Sequence, residues 1–266
     1  MRAMISMYDM PERRPAIAAW WEGLARHWHA AGLRDVPHSA HMPDGDLYEL
    51  WQAPDLLIAQ ACGFPLTHRL KDRVTLVATP VYSVDGCAGG HYHSVIVARG
   101  DGDVRGLDDV AGKVAAINGY DSQSGWNALR HSLIGKGPPA RIMETGGHRK
   151  SVAAVRVGRA DVAAIDCVTY AGLQQAAPQE VAPLRIIARS ASAPALPFVT
   201  RRDIAPSDLE KLRAGLRAAM ADPGLTEPRA AMLLSGIEIM PLQAYDRLLE
   251  MEREADRAGS LMVGRP

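Results

Sequence analysis

Three short stretches of this chain combine residue types and spacings suited to holding a small charged ligand. The first is Ser122-Gln123-Ser124-Gly125, between an apolar run and a helical run. A helix start offers unpaired backbone N–H groups and a partial positive charge, which attract phosphate, phosphonate or carboxylate. The Ser122 and Ser124 hydroxyls and the Gln123 amide add donors, and Gly125 lets the backbone come close. The same turn also reads as a plain N-cap, in which one serine satisfies a helix amide.

The second stretch is Gly146-Gly147-His148. His148 opens a helical run and can give an anion one N–H, or two when protonated; the plainer reading is an exposed helix-start residue. The third is Asp166, which ends the apolar run Val162 to Ile165. Sheets of α/β proteins bind ligands at the carboxyl ends of their strands, so its position suits a site. An acid there serves a ligand that also carries an amine, or orients a neighbour, or caps the helix beyond it.

Other candidates rank lower. Tyr8 follows the first strand and Tyr82 the third, both at carboxyl ends, where an aromatic ring can wall a pocket; Tyr92 reads as a hinge residue. His91 and His93 share one face of a strand, but no further ligand stands at a zinc-like spacing, so no metal or other cofactor is expected. His27 and His29 diverge on a helix, His38 and His41 lie in a Pro-containing loop, and Arg69, Lys71 and Arg73 read as a solvated turn. There is no G-x-S-x-G elbow, Walker loop or H-E-x-x-H pair, so no catalytic residue is nominated. Cys62, Cys87 and Cys167 form no CxxC pair and read as small apolar groups, with Cys87, in a Gly-rich loop, the best candidate for an exposed thiol.

The elements that must position these residues alternate between strand and helix, the pattern of an α/β fold with mostly parallel sheets. Strands are expected at 3–8, 55–59, 74–79, 93–99, 114–118, 141–144, 162–166 and 184–189. Helices are expected at 11–31, 47–52, 124–134, 148–157 and 167–175. Ile17, Trp20, Trp21, Leu24 and Trp28 follow helical spacing and read as a core face. In the last third, Ser207 and Glu210 suggest a capping box, with further helices near 226–235 and 242–258 and a frayed end at 259–266. The two strand–helix series predict two lobes: 1–94 rejoined by 190–266, and 95–189.

Thirty basic and thirty acidic residues balance in the 266-residue chain. That neutrality argues against nucleic acid or an anionic membrane as the partner. No run of 18 apolar residues exists for a membrane span, and no large apolar patch is foreseen, so a monomer is the default. Arg2 is followed by only Ala3 to Met7 before the polar run from Tyr8, too short for the apolar core of an export signal. The expectation is therefore a cytoplasmic location as the chain is written, and a periplasmic one if a signal has been removed ahead of it.

Taken in order, the motifs resemble a known family. Asn118-Gly119-Tyr120-Asp121-Ser122-Gln123-Ser124-Gly125 is similar to the Ser-Thr-Ser-Gly turn of phosphonate/phosphate-type substrate-binding proteins of ABC transporters. Gly146-Gly147-His148 with Ser151 to Val155 resembles that family's Gly-x-His helix start, and Gly158 to Asp166 its G-x-A-D-x-A-x-x-D strand. Gln60 to Leu66 and Tyr92 to Val97 also look like family segments. Gln123 departs from the pattern by replacing the threonine. The resemblance spans roughly 3–260 and implies the type 2 periplasmic-binding fold, with two α/β lobes, two hinge crossings and a ligand in the cleft. It also implies closure of the lobes by a hinge motion on a phosphonate- or phosphate-like anion or zwitterion, at Tyr8, Tyr82, Ser122, Gln123, Ser124, Gly125, His148 and Asp166, with an ABC permease as partner. The same fold hosts enzymes of menaquinone- and pyrimidine-precursor synthesis, for which His148 with Asp166 is the pair to test, and ligand-sensing modules without transport.

Overall fold

The structure, a computed structural model, describes residues 1–8, 10–40 and 45–260. His41 and 261–266, part of the expected frayed end, lie outside the described residues. The strands are, in chain order, β1 (Arg2–Met4), β2 (Leu56–Gln60), β3 (Val74–Tyr82), β4 (Ser94–Arg99), β5 (Val114–Ile117), β6 (Arg141–Glu144), β7 (Val162–Asp166), β8 (Leu184–Arg189), β9 (Phe198–Arg201) and β10 (Leu234–Glu238). Two-residue strands, His91–Tyr92 and Ala193–Pro194, mark where the chain passes between its two units. The longer helices are α1 (Arg14–Ala30), α2 (His148–Arg156), α3 (Cys167–Ala176), α4 (Pro206–Ala221) and α5 (Asp246–Arg257).

The first unit is Met1–Ser83, Cys87–His91 and Pro194–Ala244. Its sheet has the order β1-β2-β9-β3-β10. β1, β2 and β3 point one way, and β9 and β10 run against them. Outside the sheet, α1 lies against α4. Trp20, Leu24 and Trp28 are buried as their spacing predicts. The Trp28 indole N–H donates to the Leu212 carbonyl over 3.0 Å. A side chain at Gly215 would collide with the Trp28 ring, so glycine there sets how closely the helices approach.

The second unit is Val84–Gly86, Tyr92–Ala193 and the chain from Tyr245 on. Its sheet has the order β6-β5-β7-β4-β8. β5 pairs in parallel with β6 and β7, while β4 runs antiparallel to both its neighbours. Ile96, Ala115, Ile117, Trp126, Leu129, Val162 and Ala164 form its core.

Five sequence expectations change. The expected lobe boundaries place everything after 190 in the first lobe, but the chain from Tyr245 groups with the second unit. There α5 is held by hydrogen bonds that sequence patterning does not foresee. The Asn127 amide donates to the Leu248 carbonyl at 3.0 Å, the His131 ring meets Glu254 at 2.7 Å, and Arg130 pairs with Asp256. The helix expected near 226–235 stops at Ala231; Leu233 turns into the left-handed region at φ 58° and Leu234–Glu238 joins β3 as a strand. β9 has no counterpart in the expected elements. The Ser207–Glu210 capping box does not form, because α4 starts two residues earlier, with Pro206 in its first turn and Ala205 as an extended N-cap. Finally, the first strand is Arg2–Met4, starting one residue before the expected 3–8 and ending four residues short of it.

Candidate ligand site

In the second unit, register brings the three nominated stretches to one edge. β5 and β6 run in parallel with Ile117 opposite Glu144, and β5 and β7 with Ala116 opposite Ala163. The loops after all three strands therefore leave the sheet at its carboxyl edge, where ligands of α/β sheets bind. Thr145 fastens two of these loops: its N–H and its hydroxyl both donate to the Ile117 carbonyl, and its oxygen lies 2.7 Å from the Ser151 hydroxyl. Gly146 N–H donates to the Asn118 carbonyl at 3.0 Å. Gly146 takes φ +78°, a left-handed turn natural to glycine, which swings the chain into α2.

The result is a contact between two nominated residues. Ser124 Oγ lies 2.7 Å from His148 Nε2. Ser124 is further fixed through its carbonyl, which accepts from the buried Ser94 hydroxyl at 2.8 Å. The Ser122 hydroxyl accepts from Gly125 N–H at 3.0 Å, so Ser122 is the N-cap of its helix and the plain reading of that serine holds. From this cap the chain enters a π-helical turn, Gln123–Asn127, running into Ala128–Ser132. Wide turns of this kind concentrate at functional sites. The first-turn N–H groups of Gln123 and Ser124 have no acceptor available within a helix, and the Ser124 hydroxyl belongs to the same turn.

His148 is neutral at pH 7. Burial of the ring pushes its pKa from 6.5 down to about 4. The Ala164 backbone carbonyl acts in the opposite sense and more weakly, and it is too poorly placed to count as a formed hydrogen bond, since Nδ1 is buried without one. The residue keeps some exposed surface, and it is Nδ1 that is sealed off. Asn118 Oδ1 is likewise buried with no hydrogen-bond partner among the described residues. It occupies the space a side chain at position 125 would need, which is why Gly125 stands there.

Two nominated side chains turn elsewhere. Gln123 is 1% exposed. Its amide oxygen accepts from Asn127 at 2.7 Å and its amide nitrogen faces the Met251 sulfur of α5 at 3.6 Å. The residue that replaces threonine thus packs inward against α5, and only its backbone N–H is presented at the turn. Asp166 is also 1% exposed. Its Oδ1 accepts from the N–H groups of Val168 at 2.8 Å and Thr169 at 3.2 Å, so it caps α3. The structure therefore pairs His148 with Ser124, while the Asp166 carboxylate serves its own helix.

Tyr8 and Tyr82 belong to the first unit, where they meet edge to face with ring centroids 5.4 Å apart. The Tyr82 oxygen accepts from the Gln60 amide at 2.9 Å. Gln60, at the end of β2, also takes the Met7 N–H at 2.8 Å and donates to the Leu196 carbonyl at 3.2 Å. Both rings line one cavity beside β1 and β3, together with Arg13. Sequence reasoning passes over Arg13, although a signal exists: it lies four and seven residues before Ile17 and Trp20, on the buried stripe of the helix. Ser94, Asn118, Thr145 and Gln60 are also missed, because each acts through tertiary contacts that no local pattern marks. Of the cysteines, Cys167 is buried, while Cys62 and Cys87 are equally half-buried.

Two α/β units, each with its own five-stranded sheet, define the type 2 periplasmic-binding fold. The family model for "ABC transporter, phosphonate, periplasmic substrate-binding protein" matches residues 53–246, and the chain belongs to that family. Among solved structures it is similar to a binding protein component of an ABC phosphonate transporter (PA3383) from Pseudomonas aeruginosa, with 18% identity, a TM-score of 0.78 and coverage of 97% of this chain and 87% of that one. It is similar to PhnD1 from Prochlorococcus marinus in complex with methylphosphonate, with 12% identity, TM-score 0.78 and coverage of 96% and 98%. XAC2383 from Xanthomonas citri bound to chloride ion gives 16% identity, TM-score 0.69 and 97% of both chains. At these identities the likeness is one of fold. No curated protein matches the chain. No described helix is long and apolar enough to cross a membrane.

Proposed function

We propose that this chain is a non-catalytic carrier that binds the phosphonate group of a small ligand at the Ser122–Gly125 turn and hands it to an ABC permease. The observation that carries this reading is the 2.7 Å Ser124–His148 contact at a helix start. In the proposal the hydrogen of this contact is the one on His148 Nε2, so that the Ser124 hydroxyl hydrogen points at the anion. The first-turn amides of Gln123 and Ser124 add donors and the positive end of the helix dipole. A dianionic phosphonate oxygen cluster suits several N–H and O–H donors without a metal. Family membership supports a periplasmic role and a permease partner, and the monomeric state belongs to the same proposal.

Titration calorimetry with methylphosphonate, inorganic phosphate and acetate tests the reading. Saturable binding of methylphosphonate, lost or strongly weakened in Ser124→Ala and unaccompanied by any new product in mass spectrometry, is the expected result. Equal indifference to all three anions, or turnover of the ligand, would sink it.

A further inference from the structure

The Asn118 side chain stands at the same carboxyl edge of the second unit as Ser124 and His148, and it makes no hydrogen bond among the described residues. Its backbone is nonetheless firmly placed. Thr145 donates to the carbonyl of Ile117, the last residue of β5, and Gly146 N–H donates to the Asn118 carbonyl at 3.0 Å. The Ser122–Gly125 turn folds back onto this point, since a side chain at Gly125 would meet both the Asn118 backbone nitrogen and Oδ1. Oδ1 is buried there. Asn118 as a whole is only half-buried, and Nδ2, on the other side of the amide carbon, is not sealed off. The amide dipole is thus fixed with its negative end packed against the turn and its two N–H donors unspent. Donors held in place beforehand are what a site for negative charge needs.

We propose that Asn118 is a further ligand residue, whose Nδ2 donates to an oxygen of the bound phosphonate beside the Ser124 hydroxyl and the first-turn amides. This rests on the phosphonate-binding reading above. The rival role is packing, in which Asn118 only fills the space that Gly125 leaves. Asn118→Asp separates the two roles. A carboxylate has the same shape as the amide, but when ionised it accepts hydrogen bonds only and carries the same sign of charge as the ligand.

Titration calorimetry of the full chain with methylphosphonate tests the assignment. Asn118→Ala should weaken binding by about tenfold, the worth of one hydrogen bond to a charged group. Asn118→Asp should weaken it by about a hundredfold or more, through like charge. Packing alone gives the opposite order, with the isosteric Asn118→Asp closer to wild type than Asn118→Ala. NMR of the wild-type chain gives a second readout that needs no variant to fold. The side-chain NH2 signals of Asn118 should move downfield and saturate as methylphosphonate is added. Signals that stay in place at saturation, affinities within about twofold of wild type in both variants, or the packing order overturns the Asn118 assignment while phosphonate binding stands. No binding of methylphosphonate by wild type overturns both readings.

Discussion

Ser124 Oγ and His148 Nε2 stand 2.7 Å apart, joined across two adjacent parallel strands and 24 residues of sequence. In the proposed site Ser124 is the serine that gives its hydrogen to the ligand, while Ser122 caps its helix. The two are separable by experiment. Ser124→Ala should weaken methylphosphonate binding by about tenfold or more, as expected for a hydrogen bond to a charged group, with stability changed by less than about 1 kcal/mol. Ser122→Ala should cost about 1 kcal/mol of stability through the lost cap. Calorimetry and urea unfolding of both variants read this out, and the reverse pattern would exchange their roles.

Acid sensitivity should carry the signature of His148. Its native pKa is about 4, against about 6.5 in an unfolded chain. As pH falls, the unfolded state takes up the proton first and is favoured. Stability from this residue is complete above about pH 6.5, is lost as pH falls towards about 4, and does not change further below that. His148→Gln, which keeps a side-chain amide beside Ser124 and does not titrate, should lose less stability between about pH 7.5 and 5. Urea midpoints at those two values decide it; an equal fall in both proteins refutes the assignment.

Gly125 is required by shape. A methyl group there would overlap the Asn118 side chain. Gly125→Ala should destabilise by about 1–3 kcal/mol. Adding Asn118→Ala should return part of that loss, giving a coupling energy in a double-mutant cycle. Strict additivity would show that some other contact excludes the side chain.

Asp166 should behave as a cap. Asp166→Asn retains an oxygen acceptor for Val168 and Thr169 and should keep methylphosphonate affinity within a few-fold. Asp166→Ala should cost about 1–2 kcal/mol of stability. If the asparagine variant folds at wild-type stability yet no longer binds, the carboxylate touches ligand after all.

Gln123 should matter to folding rather than affinity. Gln123→Ala removes its bond to Asn127 and its packing on Met251. A loss of about 1–3 kcal/mol in urea unfolding is expected, with methylphosphonate affinity within about twofold. A tenfold fall in affinity at unchanged stability would return Gln123 to the site.

Much of the site is legible in the amino-acid sequence. The Ser-x-Ser-Gly turn, His148 and Asp166 each follow a strand, and strand ends gather at one edge whenever the strands are parallel. What the pattern does not reveal is which way each side chain turns there. Gln123 looks like a donor until Met251 and Asn127 are seen to occupy it. Asp166 looks like a partner for His148 until its own helix amides claim it. Arg13 goes unmarked in the sequence and is seen to be buried only in the fold.

Read alone, the chain determines its class, its family and the alternation of elements, because these rest on local periodicity and on motifs a few residues long. Tyr8, Tyr82, Ser122, Ser124 and His148 are marked at that level as well. The tertiary structure alone decides that α5 packs on the second unit, that Leu234–Glu238 is a strand and that Ser124 meets His148. It also decides that a buried arginine shares a cavity with the two tyrosines. Each of these depends on contacts between residues distant in sequence, where one hydrogen bond or one van der Waals fit outweighs local propensity.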